Sequence, residues 1–154
     1  MNIEHVRQWT RRLRSGDIDQ TRGHLVDPTG PRPAMCCLGV GAQEAGIPFQ
    51  VSDDGRHGFF PVGDGGRTNS LPPTEFHLWL GLNVPVSETY DVVVDWPEGM
   101  TVLCQEPDVP DGWYESPIDG DEVATCSGLN DSGFTFSQIA DLIDYFGVRA
   151  ETKP

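Results

Sequence analysis

Val6, Trp9 and Leu13 repeat at the spacing of one helix face, with Ile3 and Thr10 beside them, and this stripe predicts a first helix. Asn2 can cap its start and Gly16 can stop it. The next element is marked by its boundaries rather than by a stripe. Pro31 and Pro33 push any helix to begin after them, and Gly46 followed by Pro48 ends one, so Cys36 and Cys37 fall in the first turn of a short helix. Its interior is Leu38, Gly39, Val40, Gly41 and Ala42. Each of those glycines costs about 1 kcal/mol relative to alanine, so the helix has to be held by burial and close backbone packing.

Further along, Phe49–Val51 and Phe59–Val62 flank the turn-rich SDDGRHG and predict a hairpin with His57 near its tip. GDGGRTNS at 63–70 reads as a flexible loop; it lacks the Gly-Lys-Ser/Thr ending of a phosphate-binding loop. Pro72 and Pro73 introduce a short helix over Thr74–Leu80 stopped by Gly81, with Phe76, Trp79 and Leu80 inward and His77 on the wetter side. Tyr90–Trp96 and Met100–Cys104 predict two strands joined by a Pro-Glu-Gly turn, followed by long loops. The last helix is the clearest: Thr135 and Gln138 form a capping box, and Phe136, Ile139, Ala140, Ile143 and Phe146 form the apolar stripe before Gly147.

These elements predict an α+β fold in a single domain over 1–154: about four short helices packed on a small antiparallel sheet, with an acidic, loop-rich insertion at about 83–128. A chain of 154 residues can bury about two thirds of its unfolded surface, enough for one core. No apolar run reaches membrane-spanning length, and four cysteines without a leader-like segment fit free thiols in a reducing cytoplasm.

Charge changes the picture more than composition does. The net charge is −14, but residues 1–67 hold eight Arg against eight acids, whereas residues 68–148 hold fifteen Asp or Glu and no Lys or Arg. A field of one sign repels nucleic acid, making direct nucleic-acid binding an unfavourable reading, and it steers basic partners. Trp96, Trp113 and Tyr114, with Asp119, Asp121 and Glu122, are the candidate partner surface within that stretch.

Candidate chemistry is sparse. A thiol at a helix N-terminus can become a nucleophile, which makes Cys36 or Cys37 with His57 as base the enzymatic alternative. The competing reading is that small buried cysteines pack beside glycines. Adjacent helical side chains point about 100° apart, and Cys104 and Cys126 lack paired spacing, so no metal ligand set is read and no cofactor is implied. Arg14, Gln20, Arg22 and His24 lead toward the positive end of the central helix and could hold a small anion. An acidic mimic of nucleic acid is a further alternative, which needs carboxylates at phosphate-like spacing.

Three blocks carry a resemblance. Trp9–Gly46, with LRSG, QTRG and CCLGV, LPPTEFHLWLGL at 71–82, and LNDSGFTFSQIADLI at 129–143 resemble a family of small bacteriophage and prophage proteins. The likeness covers roughly half the chain. Where the family usually continues CCLGV with a leucine and a third cysteine, this chain has Gly41 and Ala42, and the acidic insertion is its own elaboration. The resemblance implies origin rather than activity: a non-structural accessory protein in the cytoplasm of an infected bacterium, for host takeover or anti-defence. Such a protein would bind a host protein or sequester a small anionic, nucleotide-like signal.

Overall fold

A computed structural model of the chain describes residues 1–63, 65–85, 89–95 and 125–150, together with the backbone of two strands at 103–105 and 113–115. Among them are five helices: α1 (Ile3–Arg14), α2 (Cys37–Glu44), α3 (Thr74–Trp79), α4 (Cys126–Asp131) and α5 (Phe136–Phe146). The strands are short: β1 (Asp19–Gln20), β2 (Val26–Asp27), β3 (Ala34–Met35), β4 (Gln50–Val51), β5 (Gly58–Val62), β6 (Gly66–Thr68), β7 (Val92–Val94), β8 (Leu103–Gln105), β9 (Trp113–Glu115) and β10 (Val148–Ala150). Helices and small sheets share one core, which makes the fold α+β.

α1 and α5 form the frame. The Asn2 side chain accepts from the His5 amide at 3.2 Å, and Val6, Trp9, Thr10 and Leu13 turn inward along α5. α5 starts on the predicted box: Thr135 Oγ1 accepts from the Gln138 amide at 3.2 Å, while Gln138 Oε1 accepts from the Thr135 amide at 2.9 Å. Against α1 and α4 lies α2, buried from Cys37 to Ala42. A Cβ on Gly39 would run into the Leu25 carbonyl, and one on Gly41 would strike the Phe76 ring, 3.0 Å from Trp9 Nε1. The two glycines therefore set how closely the chain packs at its centre.

The sheets sit around this helical centre. β3 pairs parallel with β1 and antiparallel with β2, directly before α2. β4 and β5 form the predicted hairpin, with Gln50 opposite Phe59. The expected loop at 63–70 is partly strand: β6 pairs with β5, Thr68 opposite Phe60, making a three-stranded meander.

Two other expectations are corrected. β7 does not pair with a strand at 100–104; it pairs antiparallel with β10, Val94 opposite Val148, while β8 pairs with β9, Cys104 opposite Tyr114. Val92, Val93 and Val94 are all buried, so this strand needs a partner inside the core, and the chain emerging from α5 supplies it. Phe76 in α3 and Leu80 just after it are buried as expected, but His77, expected on the wetter side, is fully buried too, and Leu78 is 51% exposed. A six-residue helix wedged between α2 and β7 is oriented by its neighbours: Phe76 meets Trp9 edge-on at 5.1 Å, and His77 Nε2 meets the Asp91 carbonyl at 3.3 Å.

Candidate functional site

Two of the three blocks that carry the family resemblance, Trp9–Gly46 and 129–143, meet at one buried side chain, Asn130 of α4. Its Oδ1 accepts from the Cys37 amide at 3.1 Å and from Gln20 Nε2 at 2.9 Å, and its Nδ2 donates to the Thr21 carbonyl at 2.8 Å. Next to it, Asp131 Oδ1 accepts from the Gly23 amide at 2.9 Å. Gln20 also donates to the Phe134 carbonyl at 2.8 Å. QTRG, CCLGV and LND are therefore joined by hydrogen bonds within one hub, whose bonded residues are up to 114 positions apart in the chain.

This hub occupies the end of α2 where an anion was expected. The Cys37 amide is taken by Asn130, and Cys36, as N-cap, accepts from the Gly39 amide through Sγ at 3.4 Å. Those donors are spent within the core, closing the dipole site to a ligand. Arg14 is likewise engaged: its guanidinium bridges Asp141 at 2.7 Å and Asp144 at 2.6 Å on α5. Of the four expected anion ligands, Arg14 and Gln20 are structural. Arg22 and His24 are exposed, and Arg22 makes no ion pair among the described residues. The Arg22 guanidinium passes beside Gly133, where a Cβ would lie 3.2 Å from Nη2, and the His24 charge adds to the Thr29 hydrogen bonds that lower the Asp27 pKa.

The thiols are equally enclosed. Cys36 is 4% exposed and Cys37 and Cys126 are fully buried. Burial, then the neighbouring Cys37, pushes the Cys36 pKa far up; burial, then Cys126, does the same for Cys37. Such thiols are protonated and shielded, the opposite of an activated nucleophile. His57 lies exposed in the β4–β5 turn, its amide donating to Ser52 Oγ at 3.1 Å, and no hydrogen bond joins it to either cysteine. Cys36, Cys37 and His57 do not form a nucleophile–base pair in this arrangement.

A second buried polar cluster escaped sequence reading. Asp91 Oδ1 accepts from its neighbour's amide, Val92, at 2.8 Å and from the Ser127 amide at 3.3 Å, and Oδ2 accepts from the Ser127 hydroxyl. It ties β7 to α4. The sequence offered one signal for Asn130, an amide side chain inside the LNDSG block, and none for Asp91, whose surroundings come from distant segments.

Trp113 and Tyr114 lie on β9, paired with β8; their side chains, and Trp96, Asp119, Asp121 and Glu122 altogether, fall outside the described residues. Among the described residues, no helix is long and apolar enough to cross a membrane, and no three His, Cys, Asp or Glu side chains gather as metal ligands. No family model matches the chain, and neither a curated protein nor a solved structure shows significant similarity to it.

Proposed function

We propose that this chain is a phage-encoded accessory protein that acts by binding, engaging a basic surface of a bacterial host protein in the cytoplasm through its acidic segment. The observation that carries the reading is charge segregation: residues 83–128 hold eleven Asp or Glu and no Lys or Arg. A stretch of that charge density attracts a cationic partner at long range and loses its grip as salt shortens the screening length to a few ångströms. Support also comes from what the core does not offer. Its thiols are buried and protonated, and its central helix end is capped from within, which disfavours both the cysteine hydrolase and a dipole-held anion. Host takeover or interference with a defence protein is the role that fits such a binder.

The test is capture from bacterial lysate on the immobilised full chain, followed by salt elution. One host protein should be retained stoichiometrically, released by salt, and held at least about 10-fold less tightly by Asp119→Asn/Asp121→Asn/Glu122→Gln, a change of about 1.4 kcal/mol. Equal retention by that variant would overturn the reading. Native mass spectrometry of the same eluate distinguishes the small-anion alternative: a bound nucleotide-like ligand lost in Arg22→Ala would replace the acidic segment with the surface around Arg22 and His24.

A further inference from the structure

Three of the four cysteines lie in the described core, all free and buried, and two of them are in direct contact, Cys37 Sγ lying 3.3 Å from the Cys126 carbonyl. Cys37 opens α2 and Cys126 opens α4, and both are fully buried. The Cys37 thiol donates to the Cys126 carbonyl at 3.3 Å, so the two cysteines adjoin across the contact of α2 with α4. The Cys36 sulfur is engaged as the cap of α2, accepting from the Gly39 amide at 3.4 Å. A vicinal Cys36–Cys37 bond would cost that cap, whereas a bond between Cys37 and Cys126 runs across a helix contact that already exists.

We propose that Cys37 and Cys126 form a reversible redox latch, closing as an intramolecular disulfide that fastens α2 to α4 when the chain meets a low-molecular-weight disulfide. The exchange proceeds in two displacements. The Cys37 thiol, deprotonated by solvent when α4 opens, attacks one sulfur of the reagent, forming a mixed disulfide and expelling one thiolate. The Cys126 thiol then gives up its proton and attacks the Cys37 sulfur, closing the protein disulfide and expelling the second thiolate. Two protein thiols are oxidised, one reagent disulfide is reduced to two thiols, and two protons leave with them.

α4 is suited to admit the reagent because it has only six residues, about one and a half turns, and too few helical bonds to stand without its packing. Burial keeps both thiols inert while it is closed, and a reductant reaches the finished disulfide by the same opening of α4. The latch also has a structural consequence. α4 carries Asn130 and Ser127, so closing it fixes the hub and the Asp91 contact, at the point where the chain leaves the acidic segment.

The experiment is incubation of the full-length protein with oxidised glutathione at about 37 °C, followed by peptide mapping under non-reducing conditions and thermal melting. The expected result is a species two hydrogens lighter, its Cys37 and Cys126 peptides linked. Its melting temperature should rise by about 10 °C, because a loop of some 90 residues is closed, and a dithiol reductant should reverse the rise. Cys104→Ser should behave as wild type, and Cys126→Ala should lose the rise. Linkage through Cys36 or Cys104, a mixed disulfide that does not resolve, or unreacted Cys37 and Cys126 after transient opening in mild urea would each overturn the latch. Peptide mapping of the wild-type chain decides the matter even if Cys126→Ala fails to fold.

Discussion

The hub at Asn130 and the acidic segment at 83–128 use polar residues in opposite ways. In the hub, the Asn130 side chain is buried and its donors and acceptors are matched one by one with groups from β1, α2 and the turn after β1. In the acidic segment, Asp91 serves the fold and Asp95 meets Arg149 at 3.5 Å, while nine further Asp or Glu stand in a stretch of sequence that supplies no basic residue. Saturated polar groups hold a fold together; a surplus of one charge is available to something outside the molecule. If the acidic segment binds a partner as proposed, fold and recognition fall largely on separate residues, and substitutions should separate them too.

The largest effect is expected at the hub. Asn130→Ala strands the Cys37 amide, Gln20 and the Thr21 carbonyl in the core, so it should cost about 4 kcal/mol, read from the midpoint of urea unfolding. Gly39→Ala should cost about 3 kcal/mol, because the clash is with the Leu25 backbone, which cannot turn aside as a side chain would. If either variant weakens partner capture while remaining as stable as wild type, the separation of fold from recognition is wrong.

His77 gives the next largest effect, and it depends on pH. Burial, opposed by hydrogen bonds to backbone carbonyls, lowers its pKa below the ordinary 6.5. The unfolded chain takes up a proton near pH 6.5 while the folded chain does not, so stability is full above that value and drains as pH falls through it toward the folded pKa, by at most about 1.4 kcal/mol per unit. Acid also relieves the repulsion of a chain with net charge −14, which acts in the other direction. Comparison with His77→Gln between about pH 7.5 and 5.5 isolates the histidine, since only the wild type should show the extra loss. Parallel profiles would show that His77 is not a stability-linked group.

The smallest effects compare two arginines. Arg14→Ala removes a two-carboxylate bridge between α1 and α5 and should cost about 1 kcal/mol, more at low salt than at high. Arg22→Ala removes a guanidinium with no ion pair among the described residues and should change stability by less than about 0.5 kcal/mol. Equal losses from the two would mean that Arg22 belongs to the fold after all.

The local signals in the sequence were read correctly where they act over a few residues. The stripe of Val6, Trp9 and Leu13, the Thr135–Gln138 box, the Gly46 stop and the β4–β5 hairpin are set by spacing, capping and turn chemistry, which operate between near neighbours. The glycines of α2 announced close packing but not its object, since Leu25 and Phe76 come to them only through the fold.

The sequence by itself determined that α1 and α5 are amphipathic helices, the small-residue centre of α2 and the segregation of charge, because each is a property of consecutive or periodically spaced residues. Tertiary structure alone decided that β7 pairs with β10 instead of β8, that His77 turns inward, that Arg14 and Gln20 serve the fold, and that Asn130 closes the end of α2. Those outcomes join residues as much as 130 positions apart. A polar side chain's role depends on which groups the folded chain brings within about 3 Å of it, and nothing in its own neighbourhood of sequence states that.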